Sequence, residues 1–261
     1  MNSPALQASG IRAGYNREEI LHGIGFDLFA GEVLGVVGPN GSGKSTLLRA
    51  LTGLLPLMAG SVQIGGRDLG GLGARARARF CAVQPQVEAP LFDYAVRDFV
   101  LLGRHPHRTL IGPAGAEDLR AAGRAIRQAG LEEMAGKSVR SLSTGEWQRA
   151  LLARSLAQEA PLLFLDEPAA HLDPGHRHAV HLLLRQLARE EGRAVFCVSH
   201  DLNLAAEFCD RLMLLQGGAV LALGTPAEVM REETLQQLFR CASLRVAPNP
   251  FTGRPGTVFA P

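Results

Sequence analysis

The sequence predicts an α/β fold: a mixed, mostly parallel sheet with an antiparallel β subdomain before it and an α-helical subdomain inserted into it. Three observations carry this. Residues 38 to 46 read Gly38-Pro39-Asn40-Gly41-Ser42-Gly43-Lys44-Ser45-Thr46, a GxxxxGK[ST] loop set between an apolar run and a helix-spaced one. Short apolar runs alternate with helix-spaced segments, as strands joined by helical crossovers do. Between residues 94 and 158 the strand pattern gives way to helical spacing alone.

Taken in order, the first 35 residues alternate like antiparallel strands. Ile24, Phe26 and Leu28 share one face, and Ala30-Gly31-Glu32 makes a turn. Val33-Leu34-Gly35-Val36-Val37 is short and apolar throughout, as a buried strand is. After the loop, Leu47, Leu48 and Leu51 fall at helical spacing and Gly53 supplies a stop. Ser61 to Ile64 reads as another strand, ended by Gly65-Gly66. Three helices follow: Val96-Phe99-Val100 with a stop at Gly103, Leu119-Ala122-Ile126-Ala129 with a stop at Gly130, and Trp147-Leu151-Leu152-Leu156. Strands return at Leu162 to Leu165 and Ala194 to Val198, around a helix with Val180, Leu183, Leu184 and Leu187 on its inner face. Arg211 to Leu215 and Ala219 to Leu223, flanking Gly217-Gly218, predict a hairpin. One domain over 1–240 is expected, with its core in 1–86 and 159–240 and the helical insertion at about 87–158. The Pro- and Gly-rich tail, 241–261, is expected to be irregular.

At 261 residues and 46% hydrophobic content, the chain can bury a full core. Its net charge is +2 and its basic residues are dispersed, so the footprint of a nucleic-acid binder is missing and no nucleic-acid partner is expected. Cys81, Cys197, Cys209 and Cys241 form no CxxC pair and read as reduced, buried thiols of a cytosolic protein. No apolar run approaches the ~18 residues of a membrane span, and the N-terminus lacks a signal-peptide core. A membrane role then has to come through a partner.

The loop at 38 to 46 has the chemistry of a polyphosphate site. Its glycines let backbone N–H groups converge on phosphate oxygens, and the following helix N-terminus favours negative charge. Lys44, one of only two lysines in the chain, adds a point charge, and Ser45 can ligate Mg²⁺. Leu162 to Leu165 then delivers two adjacent acids, Asp166 and Glu167. A carboxylate at a strand's end can hold Mg²⁺ opposite the phosphate loop, and a second can orient and polarise an attacking water. His171, His176, His178 and His181 invite a metal reading, but no carboxylate or thiolate completes a tetrahedral set. They read instead as a solvated or subunit-facing cluster.

Leu142-Ser143-Thr144-Gly145-Glu146, followed by Trp147-Gln148-Arg149, resembles the LSGGQ signature of ATP-binding-cassette (ABC) ATPases. The phosphate loop, this signature, the Asp166-Glu167 pair, Leu172-Asp173 and His200 match that family in order and spacing from about residue 5 to 235. Thr144 stands where the family usually has glycine. The resemblance implies a P-loop, RecA-like core that binds ATP and Mg²⁺. It places ATP contacts at Tyr15, which stacks on adenine, at Gly38, Asn40, Gly41, Ser42, Gly43, Lys44, Ser45 and Thr46, and at Ser143, Gly145 and Asp173. It assigns Mg²⁺ to Ser45, Asp166 and Gln86, and catalysis to Glu167, His200 and Gln86. Gln84 competes with Gln86, since both fall on one strand face.

In this family the signature of one cassette completes the phosphate loop of another, so the resemblance implies a head-to-tail homodimer sandwiching two ATP molecules. Leu101-Leu102-Gly103-Arg104-His105-Pro106-His107, His200 to Ala206, and Pro248 to Pro255 are similar to the importer branch for iron–siderophore complexes, haem and cobalamin. That branch implies integral-membrane permease subunits, a periplasmic or lipoprotein substrate-binding protein acting through them, and a peripheral place on the cytoplasmic face of the inner membrane. The alternative is a non-transport ABC ATPase of DNA repair, chromosome maintenance or translation. Those usually carry two cassettes, coiled coils or zinc insertions, and this chain shows none.

Overall fold

A computed structural model of the chain describes residues 3–86, 89–108 and 112–260. The predicted start of the helical insertion, residue 87, lies outside them. In chain order the elements are β1 (Leu6–Tyr15), β2 (Glu18–Leu28), β3 (Val33–Val37), α1 (Lys44–Leu51), β4 (Ala59–Ile64), β5 (Arg67–Asp68), α2 (Ala74–Phe80) and β6 (Cys81–Gln84). There follow α3 (Val96–Leu101), α4 (Ala116–Gln128), α5 (Thr144–Ala157), β7 (Leu162–Asp166), α6 (Pro174–Glu191), β8 (Ala194–Val198) and α7 (Leu202–Phe208). The chain closes with β9 (Arg211–Gln216), β10 (Ala219–Gly224), α8 (Pro226–Val229), α9 (Glu232–Phe239), β11 (Leu244–Pro248) and β12 (Pro255–Phe259).

The central sheet has the order β10-β9-β3-β8-β7-β6. All its pairs are parallel except the β9–β10 hairpin, so the sheet is mixed as expected. A second, antiparallel sheet, β2-β1-β4-β5, forms the N-terminal subdomain. Alternation along the central strands divides the core in two. Leu34, Val36, Phe164, Phe196 and Met213 face α1 and the antiparallel sheet. Their neighbours Val33, Val37, Leu163, Leu165, Val195 and Leu212 face the helical side. Strands covered on both faces have no reason to alternate in polarity, which is why β3, β7 and β8 are apolar almost throughout. Helices α3, α4 and α5 pack together between β6 and β7, with Phe99 and Trp147 4.7 Å apart at their centre.

Several expectations need correction. Of the expected face, Ala122, Ile126 and Ala129 are buried but Leu119 is exposed; Ala121 and Ala125 complete the buried face of α4, small residues that let it lie close against its neighbours. Leu183 is only partly buried, whereas Val180, Leu184 and Leu187 are in the core. The tail is not irregular. β11 and β12 pair in antiparallel register from Leu244↔Phe259 to Pro248↔Pro255, so the prolines cap the ladder where no further strand bond is required. His181 is not solvated but buried, stacked on Phe208 at 5.5 Å, with His178 edge-on to the same ring. Burial pushes the His181 imidazole down to about 4. Cys81, Cys197 and Cys209 are free and buried, as expected, while Cys241 is partly exposed. Among the described residues, no helix is long and apolar enough to cross a membrane.

Candidate functional site

Strands β3, β8 and β7 lie side by side and parallel, so the loops leaving their C-terminal ends emerge at one edge of the sheet. The phosphate loop leaves β3, Glu167 follows β7, and His200 follows β8. The loop is held closed by its own backbone and by Lys44. Gly38 has no alternative: a Cβ there would sit 2.2 Å from the Leu215 carbonyl oxygen. Gly43, at the N-cap of α1, has φ of 101°, which a side chain disfavours. Lys44 Nζ donates to the carbonyls of Gly38 at 2.8 Å and Pro39 at 3.0 Å. Burial lowers the Lys44 pKa, and the nearby Glu167 and Asp166 carboxylates oppose that shift. Asn40 and Gly41 are exposed at the loop's crown, with Ser42 and Thr46 buried beneath.

Asp166 ends β7 and is buried. Burial raises its pKa, and a hydrogen bond from the Ser45 hydroxyl offsets part of the rise. Its Oδ1 has no hydrogen-bond partner among the described residues. An orphaned carboxylate oxygen beside a serine hydroxyl is a donor set suited to a hard cation, so these residues fit Mg²⁺.

Glu167 takes a left-handed backbone, φ 54°, that non-glycine residues rarely adopt and that recurs at functional sites. Its backbone is held by hydrogen bonds, among them one from the Ala170 N–H to its carbonyl at 3.1 Å. Its N–H donates to the Val198 carbonyl at 3.1 Å, and its own carbonyl accepts from Gln148 Nε2 at 2.8 Å. His200 Nε2 lies 2.5 Å from Glu167 Oε1, with the imidazole partly exposed. Gln148 was missed by sequence reasoning. The available signal was a polar residue on the buried side of α5, beside Trp147 and in line with Leu151 and Leu152.

The two glutamines separate. Only Gln84 belongs to β6, where it pairs with Leu165 and is fully buried, its amide without a hydrogen-bond partner among the described residues. Gln86 lies past the strand's end and is exposed, so the shared strand face does not exist. It lines a groove of about 340 Å³ together with Leu91, Phe92 and Tyr94. Tyr15 ends β1, half-exposed, and its hydroxyl accepts from Arg49 of α1 at 3.2 Å, which ties it to the helix that follows the phosphate loop.

The signature residues stand apart. Ser143 is the exposed N-cap of α5: its hydroxyl accepts from the Glu146 N–H at 3.3 Å, and the Glu146 carboxylate accepts from the Ser143 N–H at 2.7 Å. Thr144 is the first residue of the helix and needs no left-handed backbone, so replacing glycine there introduces no strain. Gly145 faces Leu172, which a Cβ would approach to 3.2 Å. Asp173 is the exposed N-cap of α6, accepting from the His176 N–H at 3.0 Å, with the His176 ring nitrogen 2.5 Å from its other oxygen. Among the described residues, no hydrogen bond or ion pair joins Ser143, Gly145 or Asp173 to residues 38–46. No group of three or more His, Cys, Asp or Glu side chains disposed for a metal occurs among the described residues.

A glycine-cradled loop between strand and helix, with an acid at the end of a neighbouring parallel strand, defines a P-loop nucleoside triphosphatase. Comparison with known proteins narrows the class. The ABC transporter family model matches residues 21–170, and an AAA-domain model matches the partly overlapping residues 137–206. The chain belongs to the ABC transporter family. It is 42% identical over 255 residues to the hemin import ATP-binding protein HmuV of Pseudomonas fluorescens, covering 96% of this chain and 98% of that one. It is also 42% identical over 248 residues to the cobalamin import ATP-binding protein BtuD of Halobacterium salinarum. That match takes in 95% of this chain but only 62% of the relative's length. Among solved structures, an ABC transporter assigned to the metal-chelate type, in an inward-facing conformation, superposes with a TM-score of 0.85. The two share 28% identity, with 100% of this chain and 98% of that one covered. A dimeric ATP-binding cassette bound to ADP and Pi superposes at 0.75 with 26% identity, over 84% of this chain and 98% of the other.

Proposed function

We propose that the chain is the ATP-hydrolysing subunit of an importer, coupling ATP-driven dimerisation and hydrolysis to uptake of a metal chelate through a separate permease. One observation carries the reading. Lys44, Ser45, Asp166, Glu167 and His200 gather at one sheet edge, while Ser143 and Asp173 cap helices in exposed positions with no bond to the phosphate loop. Each chain thus presents half a site and the complementary half elsewhere on its surface. Two copies arranged head to tail complete two sites, in keeping with the dimeric cassette it resembles. The relatives named for hemin and cobalamin import support the cargo class, an iron–siderophore, haem or cobalamin.

In this mechanism the backbone N–H groups of 41 to 45 and the Lys44 ammonium bind the β- and γ-phosphates, and Tyr15 offers its ring to adenine. Ser45 and Asp166 would hold Mg²⁺, with Gln86 as a further ligand, and the bound ion would supply neutralisation of charge developing on the phosphate oxygens. Glu167 accepts a hydrogen bond from the attacking water and polarises it, and His200 is placed to reach the γ-phosphate. Ser143 and Gly145 of the second copy close over the same phosphate.

Ser143→Arg tests the composite site. The added cation occupies the space the opposite γ-phosphate needs, so ATP binding by the single chain stays intact while ATP-driven dimerisation is lost. Sedimentation with ATP in a hydrolysis-blocked Glu167→Gln background, with and without Ser143→Arg, is the measurement. Equal dimerisation of both proteins places the signature away from the interface.

The groove beside Gln86 supports the permease assignment. Val96 and Phe99 pack inward, but Leu91 and Phe92 are exposed and Tyr94 is half-exposed, with Phe92 and Tyr94 in edge contact at 6.2 Å. Aromatic anchors of this kind dominate interface energetics. Replacing Phe92 and Tyr94 with Ser is expected to spare ATP binding and to weaken co-purification with the permease. Normal assembly and uptake in the double variant would put the docking surface elsewhere.

A further inference from the structure

The tail hairpin takes no part in the chemistry above, yet it is fastened to the helix that leads out of the His200 loop. Asn203, in the first turn of α7, donates through Nδ2 to the Thr257 carbonyl at 3.2 Å. Its Oδ1 accepts from the Thr257 N–H at 2.6 Å and from the Thr257 hydroxyl at 2.8 Å. At the other end of α7, Arg254 Nη1 donates to the carbonyls of Ala206 at 3.0 Å and Cys209 at 3.1 Å. Terminal carbonyls of a helix have no partner within it, and a cation there also complements the helix dipole. Between the two, Glu207 accepts from the Thr252 hydroxyl at 2.8 Å and from the Asn249 amide at 3.3 Å. The hairpin turn fixes Arg254 in turn, since Asn249 N donates to its carbonyl at 2.7 Å.

Helix α7 has seven residues, far fewer than an isolated helix needs to persist in water. Its inner face is held by burial of Leu202, Ala205, Ala206 and Phe208, and its outer side by the tail. His200 sits between two anchors. Behind it, Ser199 Oγ accepts from the Asp201 N–H at 3.1 Å, and ahead, Asp201 caps α7 by accepting from Leu204 N at 2.9 Å. On the tail side the imidazole meets no packed wall. A cavity of about 620 Å³ separates His200 from Cys241, Thr257 and Phe259. The position of the ring therefore depends on the backbone entering α7 as well as on the Glu167 carboxylate it meets.

We propose that Thr257 and Arg254 are positioning residues for His200: by fixing the two ends of α7 they hold the imidazole at its distance from Glu167 and from the γ-phosphate. The inference rests on the role given to His200 above. Without the tail's bonds, α7 retains its apolar face and the chain its fold, but the helix can slide and carry the histidine with it. A misplacement of about 1 Å at a reacting centre can cost on the order of 10²-fold in rate.

The test uses the full chain with Arg254→Ala, Asn203→Leu, Arg254→Lys and, as reference, His200→Ala. For each, kcat and KM for ATP are measured, together with the ring resonances of His200, assigned by their loss in His200→Ala. Arg254→Ala and Asn203→Leu are expected to lower kcat by about ten-fold or more, with ATP affinity within about two-fold of the parent. Both should shift or broaden the His200 resonances, and Arg254→Lys, which keeps a donor for the two carbonyls, should restore both readouts in large part. Unchanged His200 resonances in Arg254→Ala and Asn203→Leu overturn the inference, whatever kcat does. So does unchanged kcat in both variants when His200→Ala is inactive, and the reading of the site itself then stands. A fully active His200→Ala removes the role of His200 and this inference together.

Discussion

Glu167→Gln is expected to bind ATP normally, hydrolyse it about 10²–10⁴-fold more slowly, and accumulate as a closed dimer. The substitution is nearly isosteric, so the phosphate loop, Lys44 and Asp166 are left in place. What disappears is the negative charge that polarises water. The backbone contacts that hold residue 167, to Val198 and Gln148, use main-chain atoms and survive the change. The amide can still meet the His200 ring nitrogen that faces the carboxylate. Single-turnover hydrolysis alongside equilibrium ATP binding separates the two effects. Near-normal turnover would sink the assignment of Glu167.

Lys44→Ala is expected to act one step earlier, weakening ATP binding by about ten- to a hundred-fold, the range for one lost charge-assisted hydrogen bond. Lys44 is nearly sealed from solvent, and its ammonium also bridges the carbonyls of Gly38 and Pro39. Loss of the side chain removes the cation and loosens the loop that presents the backbone donors, and both act in the same direction. Lys44→Arg is not a rescue, because a planar fork does not fit a site shaped for a point charge. Equilibrium titration with ATP is the measurement; unchanged affinity with unchanged hydrolysis refutes the phosphate-loop reading.

Features that rest on local physics are legible in the sequence. Strands β3, β7 and β8 are covered on both faces, and their apolarity follows from that. The loop at 38 to 46 announces itself because glycine is required at particular places: Gly38 for the close approach of Leu215, Gly43 for its backbone angle. Asp166 and Glu167 were readable since an apolar strand delivers them to an edge. Helix spacing was less secure where residues are small. In α4 the alanines carry the buried face, and Leu119, the larger apolar residue, points outward.

The class of chemistry, the α/β architecture and the residues at each strand end depend on neighbours close along the chain, and the sequence carries them. The remaining features arise from the folded arrangement. It distinguished Gln84, sealed inside the sheet, from Gln86, free at the groove, because burial at a strand's end depends on what packs over it. It turned His181 from a surface group into a ring stacked on Phe208, and a Pro- and Gly-rich tail into a hairpin fastened to α7. It also brought Gln148 to the backbone of Glu167, 19 residues away. Contacts between distant segments leave no periodicity to read, since their partners are chosen by the fold as a whole.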